Sequence, residues 1–208
     1  MGAQMSFMPL QVRTRPGSRP SVQPERHRSW FRDGYFLSTD KAYLDPALVN
    51  SVFDSKLMWW NDPLEPYQMR RMLDNCLTLG IFAVPDSAEE MRRNGGLPRC
   101  TRPGPDFRMA GFARVITDYV TIAYLTDVFV LEDFQRRGLA SWMMRALKEL
   151  VDGWPNLRGL MLMTHDKAAA RMYERELGAV DFDQGPSAGL VLLEMGGRGQ
   201  KEVPSDKC

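Results

Sequence analysis

The sequence predicts a mixed α/β domain with a largely antiparallel sheet flanked by helices, in the order β-α-α-β-β-β-α-β-α-β. Three observations predict it. First, Leu139, Trp142, Met143, Ala146, Leu147, Leu150 and Val151 repeat at three- and four-residue steps, with Ser141, Arg145, Lys148, Glu149 and Asp152 opposite them. That is one helix with a continuous apolar face. Second, strand-like runs precede it at 109–117 and 121–131, and a short apolar run of buried-strand length follows at 160–164. Third, 208 residues with 44% apolar content suit one domain with appendages better than two domains.

Residues 1–28 are expected to be a disordered basic tail. Arg13, Arg15, Arg19, Arg26 and Arg28 supply the charge, and Pro9, Pro16, Pro20 and Pro24 interrupt any amphipathic helix. The start Met1-Gly2-Ala3-Gln4-Met5-Ser6 fits the minimal myristoylation pattern, which is short enough to arise by chance, and no apolar h-region of a secretory signal is present. The domain then spans 29–195 and a polar tail spans 196–208.

A strand is expected at 34–38. Asp45-Pro46 opens the first helix, with aspartate as cap and proline at the first helical position. Leu48, Val49, Val52, Phe53 and Leu57 carry its rhythm as far as Trp59-Trp60-Asn61-Asp62-Pro63. A second helix starts near Pro66, with Met69, Met72, Leu73, Cys76 and Leu77 as its stripe, and a strand follows at 79–84. Residues 85–107 crowd Gly95, Gly96, Pro98, Pro103, Gly104 and Pro105 among charges, the composition of a long mobile loop. Asp118-Tyr119 forms the turn between the next two strands. After 160–164, a helix over 167–177 stops at Gly178, and 179–183 and 190–195 are expected to close the fold as strands.

Composition narrows the function. Lysine plus arginine (27) and aspartate plus glutamate (26) leave a net charge of +1, which argues against a protein built chiefly to hold nucleic acid. No apolar run is long enough to span a bilayer. Cys76, Cys100 and Cys208 are odd in number and widely spaced, and His27 and His165 are the sole histidines. No metal site is expected, and free thiols fit a cytoplasmic protein.

The segment from Val128 to Ala140 carries the chemistry. A strand runs into a turn and the turn into the helix. The free N–H groups and positive dipole at the helix start favour an anion. Gly138 and Ala140 leave room for it, and Arg136 and Arg137 add charge at the rim. Such an arrangement suits a pyrophosphate; the alternative is an ordinary glycine-capped connection.

Gln135-x-x-Gly138-x-Ala140, after the apolar Val128-Phe129-Val130, resembles the coenzyme A-binding motif Q/R-x-x-G-x-G/A of the GNAT superfamily, the Gcn5-related N-acetyltransferases. Asp166-x-x-Ala169-x-x-x-Tyr173, continuing to Leu177-Gly178-Ala179, resembles the same family's second signature, N-x-x-A-x-x-x-Y-x-x-x-G-F. The resemblance implies an acetyl-coenzyme A-dependent N-acetyltransferase acting on an amine, that of a small molecule in the leading reading. Acetylation of a protein or peptide, or non-catalytic acyl-coenzyme A binding, are the alternatives. It implies that the Phe129 and Val130 backbone holds the pantetheine arm. Gln135 joins the cofactor-binding residues, and the backbone of Arg136, Arg137, Gly138, Leu139, Ala140 and Ser141 would hold the pyrophosphate, solvated surface charge being the alternative for the two arginines. Asp166 stands where the family has asparagine and suits a helix cap. Tyr173 becomes the candidate acid for the leaving thiolate, against a plain core role on the face it shares with Ala169 and Met172. Asp127 is the candidate base: alternation places it with Leu125 and Phe129, an apolar face where a carboxylate asks for a partner or a task. Anchoring a neighbouring backbone at a bulge would equally explain it. Trp59, Trp60 and Tyr67 are candidates to line the acceptor site, with His165 at its rim; packing at a helix end is the alternative reading of these aromatics.

Overall fold

The computed structural model describes residues 27–84, 107–191 and 193–201. The expected loop at 85–107, apart from Phe107, and the expected tail, apart from His27 and Arg28, lie outside these residues.

The chain opens with a hairpin of β1 (Ser29–Arg32) and β2 (Tyr35–Ser38). Asp33 and Gly34 form its turn at φ 48° and 81°. Two consecutive left-handed residues match the twist of the flanking strands, and Asp-Gly is a favoured pair for that role. This signal stood in the sequence, yet the first strand was expected only from residue 34. Next come α1 (Pro46–Phe53), α2 (Pro66–Asp74), β3 (Leu77–Ala83), β4 (Arg108–Thr117) and β5 (Ile122–Val130). The chain then runs through α3 (Leu139–Val151), β6 (Gly159–Leu162) and α4 (Lys167–Leu177).

Asp45 caps α1 by accepting from the Ala47 N–H, with Pro46 in the first turn. The helix ends earlier than its apolar rhythm suggests. Ser55 accepts from the Leu57 N–H and donates to the Val52 carbonyl, starting a separate 3-10 turn, Lys56–Met58. A side chain that competes for backbone partners breaks the helix there.

The six strands lie in sequence order, antiparallel from β1 to β5, with β6 parallel to β5. Helices cover both faces. On one, Met143, Met144 and Leu147 of α3 are fully buried against Leu79, Ile81, Val115 and Leu125. On the other, Val49, Phe53, Met69 and Leu73 pack on Phe36, Phe82, Phe112 and Phe129. Each large side chain so buried contributes about 1.5–3 kcal/mol relative to exposure.

The fold class is the expected one, but the sixth strand comes from the N-terminal hairpin and not from the C-terminus. Among the described residues, 179–183 and 190–195 form no strand. Val180 (59% exposed), Leu190 (66%), Leu193 (85%) and Met195 (93%) remain in solvent. An apolar run signals strand capacity, but a strand exists only where a partner edge is within reach. Here β6 is left as the edge of the sheet.

Candidate active site

The site begins with a break in the sheet. β5 and β6 pair from Ile122–Gly159 to Leu125–Leu162 and no further. β5 runs on to Val130, while the other chain leaves through Met163, Thr164 and His165 toward α4. A cavity of about 590 Å³ lies along this divergence, within the size range of small-ligand sites. Residues 124–128 and 162–166 line it, with Ala169 and Tyr173 from α4, Trp59 and Trp60 from the α1–α2 connection, and Glu194 and Gln200 from the C-terminal segment.

A bulge at Asp127 shapes β5. Arg114 pairs with Thr126 and Phe112 with Phe129, so Ala113 faces two residues instead of one. Asp127 takes the extra position at φ 51°, a left-handed conformation that aspartate tolerates better than most residues. The bulge corrects the expected alternation: Leu125 packs under α3, whereas Phe129 packs under α1 and α2. Asp127 is only 3% exposed. Arg114 places Nε and Nη2 each 2.6 Å from its Oδ2, and Asn61 Nδ2 donates to its Oδ1 at 3.0 Å. The Thr126 hydroxyl adds a contact at 3.3 Å. Ion pairing and hydrogen bonding together offset the cost of burying this carboxylate. They also tie the Trp59-Trp60-Asn61 segment to the sheet. Neither Arg114 nor Asn61 was singled out from sequence, because each becomes meaningful only beside Asp127.

Tyr173 is buried on α4 and reaches the cavity. Burial, with a smaller contribution from the nearby Asp166 charge, pushes its phenol up to about 12. The group therefore keeps its proton at neutral pH. Asp166 is the N-cap of α4, its Oδ1 accepting from the Ala168 N–H at 2.7 Å. Trp59 meets Trp60 at 5.7 Å and His165 at 5.3 Å, both edge-on. Tyr67 does not join them: it is 67% exposed on α2 and lines no part of the cavity. Asp118 stays in its turn, where bonds from the Thr121 hydroxyl and the backbone of Val120, Thr121 and Ile122 hold its carboxyl far below the usual range.

Beyond the cavity, β5 leads to the loop before α3. Arg136 and Gly138 are both left-handed, at φ 59° and 72°. Gly138 is the N-cap and brings no side chain to cap the first turn. Those N–H groups are the kind that receive an anion, so the loop fits a diphosphate. A β-carbon on Gly138 would be strained and would stand 3.4 Å from the Arg32 guanidinium. Arg32, unforeseen from sequence, reaches across from β1 to the carbonyls of Arg137 and Gly138, each at 3.3 Å. Arg137 bonds the Tyr35 hydroxyl and the Asp133 carbonyl and lies over the Phe134 ring. Gln135 donates to the Val130 carbonyl at 3.0 Å, fixing the strand end to the loop. Phe129 and Leu139 turn their side chains into the core, leaving only their backbone for a ligand. Ser141 accepts from Arg175. Gln135 to Ser141 do not line the cavity; β5 connects the two places.

Among the described residues, no helix is long and apolar enough to cross a membrane, and no cluster of histidine, cysteine, aspartate or glutamate could hold a metal.

Residues 104–179 match the acetyltransferase (GNAT) family. A candidate acetyltransferase of Gibberella zeae is 34% identical over 170 residues, spanning 80% of this chain and 93% of the relative. The crystal structure of a candidate GNAT-family acetyltransferase from Xanthomonas campestris pv. campestris is 27% identical. It superposes with a TM-score of 0.55 over 79% of this chain and 94% of that one.

Proposed function

The chain belongs to the GNAT family of N-acetyltransferases, and from that premise we propose that it moves the acetyl group of acetyl-coenzyme A to the primary amine of a small molecule. One observation carries this reading. β5 presents an unladdered edge at 126–130 between a cavity containing Tyr173 and an uncapped helix start at Gly138. A long ligand with a diphosphate at one end and a reactive group at the other would span that distance.

Bound acetyl-coenzyme A would supply an activated acetyl group as a thioester. The backbone of Arg136 to Ser141 would hold its diphosphate, with Arg136 and Arg137 at the rim, and the side of β5 left unpaired by β6 at Phe129 and Val130, where Gln135 already takes the Val130 carbonyl, would align the arm. Tyr173 would give its proton to the sulfur as the carbon–sulfur bond breaks and the carbon–nitrogen bond forms. The amine proton would leave to solvent, and the phenol would regain its own from water. Its place in the cavity, and not the upward shift, supports that role: any phenol carries its proton at neutral pH. Asp127, already compensated by Arg114, we assign to positioning: through Asn61 it holds the tryptophan segment that faces the acceptor. Orientation of this kind supplies up to about 7–11 kcal/mol of a barrier in the best-aligned cases.

Calorimetric titration with acetyl-coenzyme A tests the reading. Wild type should bind saturably. Gly138→Glu, which adds a negative side chain at the helix start, should lose binding while keeping its circular dichroism spectrum. No binding by folded wild type would end the acetyltransferase assignment for this site.

A further inference from the structure

We propose that the cavity selects primary amines with a single positive charge on an apolar or aromatic body, Glu194 holding the ammonium and Trp59, Trp60 and Tyr124 flanking the body. This rests on the acetyltransferase reading and names its acceptor class.

Three carboxylates line the cavity: Asp127, Asp166 and Glu194. Two are committed. Asp127 belongs to Arg114 and Asn61, and Asp166 caps α4. Glu194 forms no ion pair among the described residues, and its hydrogen-bond partner is the neutral amide of Gln200. Exposed at the cavity mouth, it is the one lining carboxylate with neither a cation, as Asp127 has in Arg114, nor a helix start, as Asp166 has in α4, beside it.

Glu194 is placed at the cavity by an anchor. Lys201 Nζ bonds the Asn61 carbonyl at 2.7 Å and Asp62 Oδ1 at 2.6 Å. This pins the C-terminal segment to the same connection that carries both tryptophans and that Asp127 holds through Asn61. Three segments distant in sequence thus converge on one acceptor end.

Most of the rest of the lining is apolar or aromatic, with Thr126, Thr164, His165 and Gln200 as its polar members. Leu57, Leu162 and Met163 join Trp59, Trp60 and half-buried Tyr124. An ammonium on a hydrocarbon or aryl body matches Glu194 and the apolar and aromatic part of the lining at once. The cation meets a carboxylate and aromatic faces, and the body leaves water. An α-amino acid would bring its own carboxylate toward Glu194, and like charges repel. A diamine would place a second, strongly hydrated cation against apolar walls.

The test uses the full chain with saturating acetyl-coenzyme A, following release of the free thiol. The acceptors are 2-phenylethylamine, phenylalanine and putrescine. Wild type should favour 2-phenylethylamine over both others by at least about 10-fold in kcat/KM. Glu194→Gln should lower that value by about 10–100-fold, as expected for loss of a charge-assisted contact. The loss should fall mainly in KM, with acetyl-coenzyme A affinity unchanged, and Glu194→Asp should recover part of it. Equal use of phenylalanine or putrescine, no transfer to 2-phenylethylamine by protein that binds acetyl-coenzyme A, or an unaffected Glu194→Gln would each overturn the inference while leaving cofactor binding intact. Failure of wild type to bind acetyl-coenzyme A would instead remove the reading beneath it.

Discussion

The two ends of the site are built differently. The loop before α3 is local: Gln135 to Ser141 are contiguous, and what they offer is backbone, the uncapped first turn of a helix and a left-handed Gly138. The cavity proposed to take the acceptor is assembled from side chains on β5, the α1–α2 connection, α4 and the C-terminal segment. A backbone site depends on where glycine stands and tolerates change elsewhere. A side-chain site depends on what holds each piece, here the Asp127–Arg114–Asn61 cluster and the Lys201 anchor.

The largest effect that would sharpen this contrast is expected at Tyr173. Tyr173→Phe keeps the buried ring and removes the proposed proton donor. Turnover should fall by about 10²–10⁴-fold, the usual range for a positioned acid. Calorimetry should show acetyl-coenzyme A affinity within a factor of about 2 of wild type, since losing one hydroxyl in the cavity leaves the proposed diphosphate contacts intact. A parallel loss of cofactor binding would mean that the two ends are not separable.

Next in size is Asp127→Ala. It strands the Arg114 guanidinium, whose side chain is 15% exposed, and puts alanine at φ 51°. Breaking such a pair costs about 3–5 kcal/mol, readable as a shift in the urea unfolding midpoint. Asp127→Asn, which suits the left-handed backbone better, should lose less. Equal stability of Asp127→Ala and wild type would show that the bulge holds without the cluster.

The smallest effect is on pH dependence. The Tyr173 phenol is pushed up to about 12, mainly by burial, so the folded protein keeps a proton that the unfolded chain has lost. The folded state binds more protons in that window, so stability should decline as pH rises from about 10 to about 12. Tyr124, raised mainly by burial and then by Asp127, acts in the same direction. Unfolding midpoints at pH 8 and 11 should therefore differ less in Tyr173→Phe than in wild type.

The legible part of the site follows the same division. Gly138, the α3 stripe and the Asp166 cap could be read from sequence because each acts over one helical turn. Alternation along β5 marks the carboxylate at Asp127, and a bulge accounts for it, but nothing local to Arg114 or Asn61 marks them as its partners. Arg32 was missed although Asp33-Gly34 marked a hairpin that would carry it alongside the loop. Tyr67 was offered for the acceptor site by residue type alone, and α2 turns it to solvent.

By itself, then, the sequence determined the local elements: the helix periods, the caps at Asp45 and Asp166, the turn at Asp118, and a glycine-led helix start aligned with two family signatures. Only the tertiary structure decided which carboxylate is already matched, which aromatic residues share a cavity, which strand gains the extra residue, and which apolar runs find no partner edge. Periodicity and capping are set by neighbours within a few residues along the chain. Charge compensation, cavity lining and strand pairing are set by neighbours in space, as Asn61, Arg114, Asp127 and Lys201 are to one another.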